Sequence, residues 1–173
     1  MSTQGEAVPD LTIDSPRFTL RPFRAADWQD FQLLGRDWQA APGPAFDKWP
    51  TSDEAAQASV QYMSRCDKYL AMCERASDRV VGLVAFNGID DQGRLDLGHV
   101  VLSSFQDNDR DREVLRAAVD HCLSRAGVCA VVTHNAPEHE AQLAPLYSLG
   151  FHGIEGGSAG ELTLTRAEWE ARR

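Results

Sequence analysis

The sequence has 173 residues, 43% of them hydrophobic, which is enough for one domain with a core and too short for two comfortable ones. Its formal net charge of −9 argues against a nucleic-acid partner, because an acidic surface repels phosphates. The same charge mildly favours cationic partners such as amines, although acidity for solubility alone explains it as well. No apolar run approaches the roughly 20 residues that a membrane span requires, so no membrane partner is expected.

The first residues, MSTQGEAVPDLTIDSP, have neither the basic nor the apolar stretch of a signal peptide. They predict a flexible arm over residues 1–14 of a cytoplasmic protein, followed by a single domain over residues 15–173. The four cysteines show no C-x-x-C spacing and stand among apolar neighbours. Reduced and mostly buried thiols are therefore expected, not disulfides or a zinc site.

The first predicted elements are a strand and a helix. Residues 18–21 alternate in polarity between two prolines, which predicts a strand. Residues 25–34 carry apolar side chains at helical spacing, and Gly35 should end that helix. The following segment, residues 40–50, is too rich in proline and glycine for regular structure.

Local signals mark the remaining elements. A second helix should begin after an N-cap at Thr51 or Ser52 and run to about residue 66, because two acidic residues occupy its first turn. Asn87-Gly88 and the residues just after it offer turn chemistry for a hairpin. Thr165-Arg166-Ala167-Glu168 spells a capping box for a short terminal helix. The other predicted elements are strands over 69–73, 80–87, 95–102, 128–133 and 162–164, and helices over 113–126 and 138–149.

Four segments carry a pattern in common with a known family: SPRFTLRPFRAAD, LDLGHVVLSSFQ, LYSLGF and LTLTRAEW. In this order and spacing they resemble the Rim-type branch of the GNAT acetyltransferases. This branch is similar to the ribosomal-protein N-terminal acetyltransferases. The resemblance runs from about Ser15 to Trp169. It implies an α/β (α+β) fold with a single GNAT-like domain. Its central sheet would be mixed and mostly antiparallel, with helices on both faces and with the fourth and fifth strands splayed apart.

The resemblance implies acetyl-CoA as the co-substrate, with its pantetheine arm inserted between the splayed strands. Residues 95–103 would be the fourth strand, which places Val100, Val101 and Leu102 at the backbone sites for pantetheine. Asn135 would hydrogen-bond the same arm from the end of a later strand. The pyrophosphate loop of the family would correspond to Gln106, Asp107, Asn108, Asp109, Arg110, Asp111 and Arg112.

This loop departs from the family pattern Gln/Arg-x-x-Gly-x-Gly/Ala, because Asp109 and Asp111 hold the two small-residue places. Like charges at close range cost on the order of 1 kcal/mol each. Side chains also obstruct the close backbone approach that glycine allows. Arg110, Arg112 and Arg116 would compensate in part by swinging over the phosphates. We therefore expect weakened binding of CoA.

A calcium site is the other chemistry that the loop suggests, because Asp107-x-Asp109-x-Asp111 copies the first three ligands of an EF-hand. Arg112 and Ala118 stand where that loop needs glycine and glutamate, so no metal is expected. A solvated helix start, where acidic side chains are favourable, explains the aspartates as well.

Two residues fall at the positions where the family transfers protons. Tyr147, three residues before Gly150, stands where many members keep a tyrosine that protonates the departing thiolate. Asp96 stands where many members keep a glutamate that helps to deprotonate the amine. The structural alternatives are that Tyr147 packs against Phe151 and that Asp96 is an exposed strand residue.

Aromatic residues indicate the acceptor side. Trp38, Phe46 and Trp49 lie in or beside the proline-rich segment, a region that borders the acceptor cleft in the family. They would line an apolar pocket or, alternatively, close the core, while Asp37 and Asp47 would attract an ammonium group.

Three histidines are candidates for the site or for packing. His99 is assigned to the substrate side, with a packing role as the alternative, and His134 is a further candidate for proton transfer. His139, between two glutamates, is expected on a solvated helix face.

Two functions from different classes follow. The first is an N-acyltransferase that moves an acetyl or related group from acyl-CoA to a primary amine of a small molecule or a protein N-terminus. The second is a non-catalytic GNAT-fold protein that binds another ligand or a protein partner. A homodimer is possible in either case. The loop at 106–112 distinguishes the two functions.

Overall fold

Eight strands and five α-helices make up the computed structural model, which describes residues 10–41 and 49–173. The strands are β1 (Ile13–Asp14), β2 (Phe18–Arg21), β3 (Tyr69–Glu74), β4 (Val80–Ile89), β5 (Arg94–Val101), β6 (Ala130–His134), β7 (His152–Gly153) and β8 (Glu161–Thr165). The helices are α1 (Trp28–Ala40), α2 (Asp53–Met63), α3 (Arg110–Ser124), α4 (Glu140–Leu149) and α5 (Arg166–Glu170). Short 3-10 turns at Ala25–Asp27 and Ser103–Phe105 precede α1 and follow β5.

The strands form one sheet in the order β1-β2-β3-β4-β5-β6-β8-β7. Every neighbouring pair is antiparallel except β5 and β6, which are parallel and joined through α3. The predicted mixed, mostly antiparallel sheet is confirmed.

The core lies where β3, β4 and β5 run through the middle of this sheet. Residues 80–86 of β4 are all buried, as expected for a strand that is covered on both faces. Helices α1 and α2 pack together and α1 packs on β4, while α3 packs against β1, β2, β6 and α4. The largest fully buried side chains are Phe18, Leu20, Phe23, Leu34, Leu70, Met72, Leu95, Leu97, Leu115, Leu146, Leu162 and Leu164.

Two predicted helix caps are confirmed. The Ser52 hydroxyl accepts a hydrogen bond from the Ala55 backbone N–H at 3.2 Å, which begins α2. At α5, the Thr165 hydroxyl accepts from the Glu168 N–H and the Glu168 carboxylate accepts from the Thr165 N–H. Both caps lie within four residues of sequence, so tertiary structure is not needed to specify them.

Two predicted boundaries are wrong. Helix α1 does not end at Gly35 but continues to Ala40. A Cβ at residue 35 would lie 3.3 Å from the Cβ of Trp49, so this glycine allows the segment after the helix to pack closely against it. Asn87-Gly88 does not form the hairpin turn either. It lies inside β4, at a bulge between Phe86 and Gly88, and the turn follows at residues 90–93.

The sheet begins at Ile13, two residues before the expected start of the domain, and its edge strands β1 and β7 were not predicted. Strands of two residues have no alternation that a sequence pattern can reveal. Residues 1–9, most of the predicted arm, lie outside the described residues. Phe46 and Asp47 of the proline-rich segment lie outside them too.

All four cysteines are free thiols, as predicted, but only Cys73 and Cys122 are fully buried. Burial raises the pKa of each of these two thiols to about 12, which leaves them protonated and unreactive near neutral pH. Cys129 is exposed, contrary to the expectation of mostly buried thiols. Among the described helices, none is both long and apolar enough to cross a membrane.

Candidate functional site

The parallel strands β5 and β6 pair over only three positions and then separate. The paired positions are Arg94 with Ala130, Leu95 with Val131, and Asp96 with Val132. Beyond them β6 pairs with β8 alone, and β5 continues to Val101 beside β4 alone. This separation confirms the predicted splay and leaves residues 97–101 without a second strand partner among the described residues.

A cavity of about 1060 Å³ lies at this opening. Its wall is largely apolar and aromatic, with a few polar groups, which is typical of a small-molecule site. The lining residues include Trp38, Trp49, His99, His134, Gln142 and Glu161.

Trp38 and Trp49 line this cavity and also pack on the core. Their ring centroids are 6.5 Å apart, and Trp49 lies 5.3 Å from Phe31. The structure therefore brings the two predicted tryptophans together at the cavity wall, and each both lines the cavity and packs against the core. Asp37 is not among the lining residues, and its carboxylate accepts hydrogen bonds from the Ser103 N–H at 2.8 Å and the Ser103 hydroxyl at 2.7 Å.

His134 lies between two carboxylates at the point where the strands separate. Its Nδ1 is 3.5 Å from Asp96 Oδ2, and its Nε2 is 3.7 Å from Glu161 Oε1. Asp96 closes the β5–β6 pairing, and Glu161 is the β8 partner of His134. His134 and Glu161 line the cavity, whereas Asp96 is not among the lining residues. Glu161 was not predicted, because nothing local in the sequence places it beside His134.

His99 and Gln142 bring buried polar atoms to the cavity wall. Gln142 Nε2 donates to the His99 backbone oxygen at 3.0 Å, but His99 Nδ1 and Gln142 Oε1 have no hydrogen-bond partner among the described residues. Burial lowers the pKa of His99 to about 4, so its ring is neutral near pH 7. Both atoms are buried, and a buried polar atom without a partner costs about 1–3 kcal/mol.

The predicted hydrogen bond between Asn135 and the pantetheine arm stays a prediction, and the Nδ2 of Asn135 is engaged within the fold. Its Nδ2 already donates to Thr133 Oγ1 at 3.0 Å and to the Gly160 oxygen at 3.2 Å. Asn135 lines the cavity but holds the end of β6 in place. The amide with spare capacity is that of Gln142, which sequence reasoning missed. His139, predicted on a solvated face, is instead buried against Trp38 with ring centroids 5.0 Å apart.

The register of β5 corrects the predicted backbone sites. Leu102 donates its N–H to the Val81 oxygen at 2.8 Å, and Val100 lies two positions along the same antiparallel ladder. Because hydrogen-bonded pairs alternate along such a ladder, the backbone groups of Val100 and Leu102 point toward β4. Those of Val101 and Leu97 point toward the opening. Of the three predicted residues, only Val101 offers its backbone to a ligand there.

The loop before α3 is closed by its own aspartates. Asp107 Oδ1 accepts from the backbone N–H groups of Asp109 at 3.1 Å and Arg110 at 2.9 Å. The Arg110 N–H and side chain hold the pKa of Asp107 at about 2, so this carboxylate is ionised. Asp111, which is 2% exposed, accepts from the Arg112 N–H at 2.9 Å. A pyrophosphate in this loop would need these same N–H groups, so the residues here do not fit it.

The three arginine side chains predicted to compensate are engaged as well, and one of them, Arg116, lies over the Trp169 ring. Arg110 donates to Asp107 Oδ2 at 2.7 Å and to the Ser104 oxygen at 2.7 Å, and it lies over the Phe105 ring. Arg112 lies 3.7 Å from Asp109, which also pairs with Arg17 at 3.0 Å. Gln106 makes no side-chain hydrogen bond within the described residues. Asn108 accepts from the Ser148 hydroxyl at 3.1 Å.

Burial raises the pKa of Asp111 to about 6, and the charge of Asp107 adds to this rise against opposing backbone N–H groups. The folded state therefore holds a proton that the unfolded state releases near its ordinary value of 3.8. Stability contributed by this group is present below pH 4 and is lost as the pH rises through 6. Asparagine stays neutral, so Asp111→Asn does not lose this stability as the pH rises. We expect its free energy of unfolding, relative to that of the wild type, to rise by up to about 3 kcal/mol from pH 4 to pH 6.

Urea unfolding of both proteins at half-unit steps from pH 4 to pH 7.5 measures this gain. Asp109→Asn, at an exposed side chain of the same loop, is the matched control and should show no such rise. A difference between Asp111→Asn and wild type that stays constant across the range would contradict the assignment.

The predicted acid Tyr147 is 54% exposed and does not line the cavity. Helix α4 reaches the cavity through Gln142, and residue 147 follows five positions later on a different face of the helix. The predicted role of Tyr147 stays a prediction that this geometry does not favour.

Comparisons with known proteins agree with this architecture. The model of the acetyltransferase (GNAT) domain matches residues 17–152. A putative ribosomal-protein-serine acetyltransferase from Vibrio cholerae is 19% identical, with a TM-score of 0.73 over 92% of this chain and 99% of that chain. Mycobacterium smegmatis RimJ in complex with CoA-disulfide is 18% identical, with a TM-score of 0.68 over 91% of this chain and 88% of that chain.

The spermidine/spermine N-acetyltransferase SpeG from Vibrio cholerae, in mutant forms, is 14% identical, with a TM-score of 0.65 over 90% of this chain and 98% of that chain. No curated protein matches the sequence. At these identities the solved structures show a shared fold. Because the domain model matches most of the sequence, the chain belongs to the GNAT acetyltransferase family.

Proposed function

We propose that this protein transfers an acyl group from a thioester to a primary amine held in the cavity. The observation that carries the proposal is the placement of His134 between Asp96 and Glu161, where β5 and β6 separate and the cavity opens. A base at this point faces both the open strand edge and the cavity. The two reactants of an acyl transfer would meet there.

The chemistry requires a proton acceptor, because a substrate ammonium has no lone pair. Glu161 attracts the ammonium group, and the imidazole of His134 takes one proton from it. The free amine then attacks the thioester carbonyl and a C–N bond forms. The nitrogen of the resulting tetrahedral intermediate loses its second proton to solvent water, and the C–S bond breaks. The departing thiolate recovers the proton from the imidazolium of His134. Asp96 keeps the ring in place and stabilises its charged form.

The cavity wall narrows the class of amine. Among the described lining residues, Glu161 is the only carboxylate, while Trp38, Trp49, Tyr62, Tyr69 and Phe31 supply aromatic surface. A polyamine such as the substrate named for SpeG would place several charges against this surface, and each would lose hydration without a partner. We infer that the acceptor carries one primary amine on an apolar or aromatic body.

A panel of 2-phenylethylamine, tryptamine, spermidine and a short peptide, each with an acetyl thioester, tests this proposal by thiol release. We expect the arylalkylamines to react fastest. Trp38→Ala and Trp49→Ala should raise the KM of the best amine about tenfold, because each removes apolar contact area, with thioester binding unchanged.

Trp28→Ala is the matched control, since Trp28 packs on the core but does not line the cavity. It should lower the melting temperature without a selective loss for the amine. Equal losses for amine and thioester in the Trp38 and Trp49 variants, with a fall in melting temperature, would mean that these residues are structural only.

The second candidate function is a non-catalytic GNAT-fold protein that binds another ligand in the same cavity. The closed loop before α3 favours it, because that loop withholds from CoA the N–H groups that an anion would need. Ligand-induced stabilisation by an arylalkylamine, with no thiol release from any thioester, would establish this alternative.

A further inference from the structure

We propose that the donor is selected by its pantetheine arm alone, and that the diphosphate of CoA adds no affinity, because the protein's own carboxylates fill the anion site before α3. The inference extends the proposed function to the identity of the donor. Its binding test, however, does not depend on turnover.

The anion site is filled in the sense that its donors are already used. The backbone N–H groups of residues 109 and 110 meet Asp107 at 3.1 and 2.9 Å, and that of residue 112 meets Asp111 at 2.9 Å. A carboxylate at the start of a helix satisfies both the free N–H groups and the helix dipole. A diphosphate would have to displace two such carboxylates and would then face their charge at close range.

Arginine side chains hold the loop carboxylates in this arrangement. Arg110 clamps Asp107 through its Nε at 2.7 Å and anchors itself on the Ser104 oxygen and the Phe105 ring. On the other side, Arg17 bridges Asp109 at 3.0 Å and Glu113 at 2.6 Å, which ties the start of α3 to the beginning of β2. Releasing Asp107 therefore costs an ion pair as well as two backbone hydrogen bonds.

The three aspartates of the loop are not equivalent, and this makes the inference testable. Asp107 and Asp111 accept backbone N–H groups, whereas the Asp109 side chain pairs with Arg17 and Arg112. Each contributes one negative charge. If charge alone opposed the diphosphate, removing any of the three would help equally. If occupied N–H groups oppose it, only Asp107 and Asp111 matter.

The arm itself has groups to meet. The open edge of β5 presents the backbone of Val101, and the side chains of His99 and Gln142 line the cavity. An arm that carries two amide groups can pair with such donors and acceptors without help from its phosphates. S-acetylpantetheine, which lacks the diphosphate and the nucleotide, is therefore the minimal donor.

Calorimetric titration of the wild type with acetyl-CoA and with S-acetylpantetheine tests the proposal directly. We expect the two dissociation constants to agree within about threefold. In Asp107→Ala, and in the Asp107→Ala, Asp111→Ala double variant, acetyl-CoA should bind at least about tenfold more tightly, because freed N–H groups form charge-assisted hydrogen bonds. S-acetylpantetheine should bind as before.

Asp109→Ala is the matched control, with the same loss of charge and all loop N–H groups still occupied; acetyl-CoA should gain less than about threefold. The proposal is overturned if the wild type prefers acetyl-CoA over S-acetylpantetheine by more than about tenfold, if Asp109→Ala gains as much as Asp107→Ala, or if S-acetylpantetheine does not bind. Should both thioesters bind equally while no amine is acylated, the proposed function fails and the donor inference stands.

Discussion

Replacement of His134 by alanine should lower kcat/KM for acyl transfer about 100-fold, the lower end of the usual effect of removing a general base. The reason is that, among the residues that the structure describes, only His134 lies within ion-pair distance of both Asp96 and Glu161 at the opening of the cavity. The loss should shrink as the pH rises, because more of the acceptor amine is then already neutral. Thiol release measured from pH 6.5 to pH 9.5 with the best amine provides the test.

Three further variants complete this experiment. Asp96→Asn should show a smaller loss of kcat/KM with the same pH trend, because the Asp96 carboxylate acts through the imidazole of His134. His152→Ala removes an exposed histidine that pairs with Glu168 at 2.9 Å and does not line the cavity, so its rate should match the wild type. Tyr147→Phe tests the family-based alternative. A large loss in Tyr147→Phe together with a native rate in His134→Ala would assign the proton transfer to the tyrosine.

Local signals explain why so much of the fold was predictable. The caps at Ser52 and Thr165 depend on residues three positions away, and the buried strand β4 is apolar along its whole first part. Gly35 shows the limit. Its spacing favours a helix end, but Trp49, fourteen residues later, packs against it and the helix continues. A glycine that ends a helix and one that admits a neighbour look the same in sequence.

Residues of the candidate site were predictable only where their position along a strand places them at the site. Asp96 and Val101 lie on β5, where the resemblance placed them, but the alternation of the ladder removes Val100 and Leu102 from the open edge. Glu161 reaches His134 through the pairing of β8 with β6, which joins residues 27 positions apart. No local pattern contains that information.

The loop shows a different limit. In the sequence the three aspartates differ only in position, and Asp109 and Asp111 stand out because they replace small residues of the family loop. In the structure, Asp107 and Asp111 fill the backbone N–H groups, and Asp109 instead turns to Arg17. The distinction depends on the path of the backbone, including the left-handed conformation of Asn108 with φ of 57°.

Replacement of Asp27 by alanine should lower the free energy of unfolding by about 3–5 kcal/mol, the usual cost of breaking a buried ion pair. Arg21 and Asp27 are 5% and 8% exposed and form two hydrogen bonds, from Nη1 at 2.8 Å and from Nη2 at 3.0 Å. Asp27 also accepts from the Arg24 N–H at 2.7 Å. Without it, a buried guanidinium loses both bonds and the turn before α1 loses its cap. Urea unfolding at pH 7 measures the loss.

Asp78→Asn is the matched control, because Asp78 contacts the same guanidinium at 3.2 Å from an exposed position and asparagine tolerates its φ of 55°. It should cost less than about 1 kcal/mol, as exposed ion pairs usually do. The double variant Arg21→Met, Asp27→Leu should recover most of the loss, since an apolar pair leaves no buried charge without a partner. A double variant as unstable as Asp27→Ala would show that the Arg24 cap, and not the guanidinium, accounts for the effect.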